Sequence, residues 1–214
     1  MLNVQNISII HEGQIILQNI SHNFPAWSCT AVIGNNGAGK TSLIKAIIGQ
    51  FQLTKGQITL PTKHIGYCPD AISWYENLTP QQRRTMTQKI TGKKDDIEKE
   101  IQILHMEKYK GICMHKLSQG NRQKANILNS LCHKASIYIR DEPTQHLDPE
   151  SRYATHQIIK DQKNKGKTII YTTHFLEDIG DHTDRYIIME QWSIRKTDTD
   201  KEQSHLKTFF IPKI

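Results

Sequence analysis

Apolar and polar positions alternate through the first 24 residues. "NVQNISII" and "QIILQNISHNF" each repeat with a period of two, the signature of half-buried strands, and Glu12-Gly13 between them predicts a turn. The pattern then changes. "CTAVIG", Cys29 to Gly34, is a short unbroken apolar run that predicts a strand buried on both faces. In "KTSLIKAIIG" the residues Leu43, Ile44, Ile47 and Ile48 share one helical face, and Gly49 supplies a stop. "GQITL" and "HIGYC" predict two more short strands. From about Leu78 to His115 the chain is polar, charged and helical in period, with "PQQRRTMTQKI" and "DDIEKEIQILHMEKY" as two helices. "LSQGNRQKANILNSLCHKA" predicts a further helix with a defined start, and "SIYIRDEP" a strand. "PESRYATHQIIKDQKNKG" predicts a helix ended by Gly166, "KTIIYTTH" a strand, and "RYIIMEQWSI" a strand pair or hairpin. Strands alternating with helices predict an α/β fold with a parallel-sheet core, an N-terminal antiparallel β subdomain and a helical insertion.

Composition adds little to this outline but excludes several classes. At 214 residues the chain can bury a real core in one large domain. No apolar run approaches the ~20 residues that cross a bilayer, and "MLNVQNISIIHEGQ" lacks the basic and apolar regions of a signal peptide. The four cysteines, Cys29, Cys68, Cys113 and Cys132, form no C-x-x-C pair, which argues against zinc or disulfide frameworks and fits a reducing compartment. The formal charge is +7. Its lysines are scattered among acids, as in "KKDDIEKE", so the reading is a solvated basic surface, and no nucleic acid is expected as a partner.

The chemistry begins at "GNNGAGKTS". Gly34-x-x-x-x-Gly39-Lys40-Thr41 is the P-loop pattern. Gly34, Asn35, Asn36, Gly37, Ala38 and Gly39 would turn backbone N–H groups toward a phosphate. Lys40 would reach the β- and γ-phosphates, the Thr41 hydroxyl would ligate Mg²⁺, and Ser42 adds a second hydroxyl. A helix starting at Lys40 contributes its positive end. A strand before the loop and a helix after it are the setting this motif requires.

Binding phosphate is not hydrolysing it, and "SIYIRDEPT" supplies the further chemistry. The strand ends in Asp141-Glu142, at the edge of a parallel sheet where ligands usually bind. Asp141 can hold Mg²⁺, and Glu142 can take a proton from an attacking water. His174, at the end of "KTIIYTT", can donate a hydrogen bond to a γ-phosphate. In "LSQGNRQK", Ser118 stands at a helix N-cap with Gly120 in the first turn, a second anion-binding helix start.

These pieces, in this order from His11 to about Met189, resemble the ATP-binding subunit of ABC transporters. "GNNGAGKT" looks like Walker A, "LSQGNRQK" is similar to the LSGGQ signature, and "IYIRDEPT" looks like Walker B with its catalytic glutamate. "QHLD" resembles the D-loop, and His174 the switch histidine. The resemblance implies a P-loop NTPase: a RecA-like core with a β subdomain over 1–70 and 117–214, and a helical subdomain over 71–116. The whole chain, 1–214, would be one ABC ATPase domain. It implies an ATPase that uses ATP and Mg²⁺ and pairs head to tail with a second ATPase subunit. Ser118 and Gly120 would then contact the nucleotide held by the partner's P-loop. Membrane-spanning subunits on separate chains would carry the substrate, with this chain peripheral on the cytoplasmic or matrix-equivalent face. "GYCPDAISWYENLT", "LSQGN" and "TTHFLEDIGDHTDRYIIM" look like export-type ATPases that serve ABC-2-type membrane subunits, and the short chain resembles the small ATPase of haem export and cytochrome c maturation.

The sequence also departs from the family pattern. Asp70 replaces the Q-loop glutamine; it keeps an oxygen for Mg²⁺ but is shorter and charged. His11 stands where an aromatic residue stacks on adenine, and the smaller ring should weaken nucleotide binding by about 1 kcal/mol. Arg140 occupies an apolar position of the Walker B strand and must snorkel or pair, since an unpaired buried arginine is costly. Gln119 replaces a signature glycine. "EQWSIRK" lacks the glycines of the usual hairpin. These departures keep a second reading open, an ABC-like nucleotide-gated clamp with little turnover. A third, a DNA-repair or translation ABC protein, needs a long coil for which Asp70 to Leu117 is too short.

Overall fold

A computed structural model of the protein describes residues 1–70, 75–92, 95–132 and 134–198. The first residues of the expected insertion (71–74), part of the export-like stretch, and the last dozen residues of the chain therefore lie outside the described residues. The chain divides into two compact units, one formed by Met1–Pro61 with the chain from Ile170, the other by Thr62–Ile169.

In the first unit, β1 (Leu2–His11) and β2 (Gln14–Phe24) form the expected antiparallel hairpin, and β4 (Lys55–Thr59) pairs antiparallel with the other side of β1. The period-two alternation is interrupted between Val4 and Ile7, where the register shifts and Asn6 takes φ 48°, but Leu2, Val4, Ile7, Ile9, Leu17, Ile20 and Phe24 face inside, all 2% exposed or less. Each such side chain contributes about 1.5–3 kcal/mol by leaving water. β3 (Cys29–Ile33) is buried at every position, as its unbroken apolar run requires. It lies beside β7 (Thr168–Thr173) and pairs in parallel with β8 (Arg185–Glu190). α1 (Lys40–Ile47) follows β3 through the glycine-rich loop and buries Leu43, Ile44 and Ile47.

The chain closes this unit with β9 (Ser193–Asp198), antiparallel to β8. The hairpin is complete despite its sequence. Its two turn residues, Gln191 and Trp192, have φ of 45° and 64°, the positive pair of a tight two-residue turn that normally favours Asn-Gly. Trp192 N–H donates to Ala38 O and Trp192 O accepts from Gln18 N–H, which holds the turn where glycine would otherwise be preferred.

In the second unit, β5 (Ile65–Cys68) and β6 (Ile137–Arg140) pair in parallel. α2 (Pro80–Thr91) begins with a capping box: the Thr79 hydroxyl accepts from the Gln82 N–H, and the Gln82 side chain accepts from the Thr79 N–H. α4 (Gln119–Leu131) and α5 (Pro149–Asn164) start at Ser118 and Asp148, whose side chains accept from the N–H groups of Asn121 and Ser151.

The third helix is shorter than its pattern suggests. α3 spans only Glu98–Ile103, and Glu107–Tyr109 is a separate 3₁₀ turn. The reason is a Schellman cap. Met106 N–H donates to Ile101 O at 2.9 Å and His105 N–H to Gln102 O at 2.9 Å, with His105 left-handed at φ 53°. The same geometry ends α1 at Gly49 and α5 at Gly166. With histidine in glycine's place, α3 carries no visible stop signal, and burial of Ile101, Leu104 and Met106 holds the turn instead.

Candidate functional site

The phosphate loop belongs to the first unit. Gly34 N–H donates to Thr173 O at 3.4 Å, tying the loop's first residue to the end of β7. A Cβ on Gly34 would meet Met189 O at 2.5 Å, so no side chain fits there. Gly37 and Gly39 have φ of 81° and 101°, and Ala38 N–H closes a turn on Asn35 O. The loop is braced from behind. Trp192 N–H donates to Ala38 O at 3.1 Å while Trp192 O accepts from Gln18 N–H at 2.9 Å. No residue pattern signals this brace, because it is made by backbone atoms of a distant turn.

α1 then starts at Lys40 with no side-chain cap and no acid in its first turn. Its N-terminal amides and positive dipole end are available to an anion, so the residues present fit a phosphate. Asn35, Asn36, Gly37 and Thr41 are exposed, and Ser42 is half-buried. Lys40 is 6% exposed, and its ammonium donates to Gly34 O at 2.8 Å and Asn35 O at 3.3 Å. Its charge is thus held at the loop by two carbonyls.

His174 follows β7 directly, half-buried, its ring centroid 3.8 Å from that of Phe175. Thr173 fixes the turn around it. The Thr173 hydroxyl donates to Asp178 Oδ2 at 2.6 Å and accepts from Phe175 N–H at 3.0 Å. The bond from Gly34 to Thr173 O thus brings the histidine's strand end to the start of the phosphate loop. His11 is exposed at the end of β1, in register with Gln14.

The acidic turn belongs to the second unit. Asp141 N–H donates to Cys68 O at 2.8 Å, extending the β5–β6 pairing one residue beyond β6. Asp141 is 1% exposed and Glu142 6%. Asp70, half-buried two residues past Cys68, follows the same strand end. The Asp141 and Asp70 charges both act on Tyr67 and Cys68: burial first, then these carboxylates, raise the Tyr67 hydroxyl pKa. Burial pushes the Cys68 thiol up to about 12, against the Arg140 guanidinium, which lowers it. Cys68 is therefore an inert packing group. Arg140 does not snorkel. It is 0% exposed, in register with Cys68, with its guanidinium 6.0 Å from the Tyr138 ring centroid.

Glu142 has φ 46°, in the left-handed region that a non-glycine residue adopts at a cost of roughly 1–2 kcal/mol. Its carbonyl accepts from Gln145 N–H at 3.1 Å and from the Gln123 side chain at 3.2 Å. His146, at φ 62°, turns the chain again, and its carbonyl lies 2.9 Å from where a Cβ on Gly120 would stand. The glycine of the "LSQGN" segment thus lets the 145–148 turn approach the start of α4. Ser118 caps that helix as expected, and Arg122 clamps the preceding loop by donating to Leu117 O and His115 O at 3.0 Å each. Among the described residues no group of three His, Cys, Asp or Glu could hold a metal.

A buried strand, a glycine-rich loop and an uncapped helix start carrying Lys40 define a P-loop nucleotide-binding protein. Comparison with known proteins then places it more closely: the chain belongs to the ABC transporter family, whose pattern it matches over residues 17–145, and it is an ABC-type ATPase that binds ATP. It is 31% identical over 191 residues to the uncharacterized ABC transporter ATP-binding protein YybJ of Bacillus subtilis (strain 168), covering 84% of this chain and 88% of that one. It is 29% identical over 193 residues to the zinc import ATP-binding protein ZnuC of Buchnera aphidicola subsp. Baizongia pistaciae, covering 88% and 80%. Among solved structures it is similar to an ATP-binding subunit of an ABC transporter, with a TM-score of 0.86, 24% identity and coverage of 98% and 93%. Among the described residues no helix is long and apolar enough to cross a membrane.

Proposed function

We propose that this chain is the ATP-hydrolysing subunit of an ABC exporter, acting as a single ABC ATPase domain with residues 71–116 as its helical subdomain. The observation that carries the reading is the buried Asp141–Glu142 turn, with Glu142 held left-handed, in a chain that also presents a phosphate loop. Holding phosphate alone requires no such strained carboxylate.

In this reading the amides of residues 34–42 and the Lys40 ammonium bind the β- and γ-phosphates. Thr41, Asp141 and Asp70 hold Mg²⁺, which when bound neutralises phosphate charge. Glu142 accepts the proton of the attacking water, and His174 donates a hydrogen bond to the γ-phosphate. His11 contacts the base with less stacking area than a tyrosine. Two ATPase subunits pair head to tail, with Ser118 and Gly120 of each completing the nucleotide site of the other. The cycle drives separate membrane-spanning subunits on the cytoplasmic or matrix-equivalent face. Export rests on the resemblance of "LSQGN" and "TTHFLEDIGDHTDRYIIM" to export-type ATPases, and the similarity to a zinc import protein makes direction the sharpest part to test.

A second reading, a nucleotide-gated clamp with little turnover, draws on Asp70, His11 and Arg140. Gentle detergent extraction from the native membrane, followed by identification of what co-purifies, separates the two. The transporter reading expects a multi-spanning partner at stoichiometric yield whose addition raises ATP turnover. Recovery from the soluble fraction alone, without such a partner, overturns it.

A further inference from the structure

Behind the Glu142 turn runs a line of buried polar side chains that none of the roles above uses. Arg83, on α2, is 4% exposed, and its Nη1 donates to Asn126 Oδ1 at 3.1 Å. Asn126, on α4 and 4% exposed, donates from Nδ2 to Gln123 Oε1 at 3.5 Å. Gln123, one turn earlier on the same helix face and 3% exposed, donates from Nε2 to Glu142 O at 3.2 Å. The hydrogen bonds all run in one direction: a guanidinium polarises an amide, which polarises a second amide, which holds a backbone carbonyl. Chains of this kind strengthen cooperatively where water is excluded, and each member is costly to leave unsatisfied.

The far end of the line is a strained residue. A glutamate at φ 46° stays there only when its surroundings over-determine it. Two donors on its carbonyl, Gln123 Nε2 and Gln145 N–H, fix the peptide plane that aims the Glu142 side chain. The near end is α2, a helix of the insertion, and the middle is α4, the helix that Ser118 caps. The bond to Glu142 O is what gives the line a functional end.

We propose that Gln123, supported through Asn126 by Arg83, is a positioning residue for Glu142, and that this relay links the setting of α2 to the aim of the carboxylate. The inference rests on the reading of Glu142 as the general base. It predicts that displacement of α2 reaches the hydrolytic step without passing through the phosphate loop.

The test is steady-state ATP hydrolysis by the purified full chain with Gln123→Met, which keeps length and loses the donor. Turnover should fall about 10–100-fold, the scale of a misaimed catalytic group, while KM for ATP stays within about 2-fold, because the phosphate loop is untouched. Arg83→Met should show a smaller fall of the same kind, and Arg83→Lys, which keeps a donor, less again. In a Glu142→Gln background, Gln123→Met should lower the residual rate no further, since both act through one carboxylate. Full turnover by folded Gln123→Met, or an equal further loss in the Glu142→Gln background, overturns the proposal. If Glu142→Gln alone leaves turnover intact, the reading of the base has failed instead. Should Gln123→Met not fold, Gln123→Asn, one methylene short of Glu142 O, is judged by the same criteria.

Discussion

The phosphate loop and the acidic turn both bend the chain tightly through positive φ, at glycines in the loop and at Glu142 and His146 in the turn, yet they are built differently. In the loop Gly34–Ser42 the constraints are mainly local and mainly backbone: glycines at φ 81° and 101°, a lysine bonded to carbonyls five and six residues before it, and a helix that begins inside the motif. In the turn Asp141–Asp148 the constraints come from far along the chain and include side chains. Gln123, 19 residues earlier, holds Glu142 O, Cys68 O holds Asp141 N–H, and Gly120 makes room for His146. A backbone-built site tolerates change in its surroundings and no change at its glycines. A side-chain-built site can be retuned from outside.

The comparison can be broken most directly at the glycines. Gly34→Ala places a methyl 2.5 Å from Met189 O and 3.0 Å from Ala38 Cβ. Overpacking of this kind costs about 1–3 kcal/mol, so the thermal midpoint should drop by about 2–12 °C for a chain of this size, with ATP binding lost. Gly120→Ala also meets a backbone oxygen, at 2.9 Å, but sits in a helix where alanine regains about 0.5–1 kcal/mol. Its midpoint should move by less than about 3 °C while turnover falls, because the His146 turn must shift. Equal stability losses in the two variants would erase the distinction between the regions.

A smaller effect is expected at the hairpin turn. The brace on the phosphate loop uses the N–H and O of Trp192, not its indole. Trp192→Gly should therefore leave KM for ATP unchanged and stabilise the turn by up to about 1 kcal/mol, since glycine adopts positive φ without penalty. A several-fold rise in KM would show that the half-exposed indole itself serves the nucleotide.

What the sequence disclosed follows the same division. The strand-loop-helix setting of Lys40, the Ser118 cap, and the helix ends at Gly49 and Gly166 were legible because each is written in adjacent residues. The end of α3 at His105 was not, because burial of Met106 replaces the glycine signal. "EQWSIRK" reads as a weak hairpin yet forms a complete one, held by Gln18 and Ala38. The fate of Arg140 could be posed from sequence but not resolved. The support of Glu142 was invisible: Arg83 and Asn126 stand 43 residues apart, and nothing in either helix pattern marks a polar residue as facing inward.

The most direct test of the account is ATP turnover and nucleotide-dependent association of Glu142→Gln beside the unaltered chain. Turnover should fall about 10²–10⁴-fold, the range for loss of a general base, while ATP still binds and an ATP-bound dimer accumulates. Turnover equal to that of the unaltered chain would contradict it, since a site that hydrolyses ATP without this carboxylate does not use the buried turn as its base.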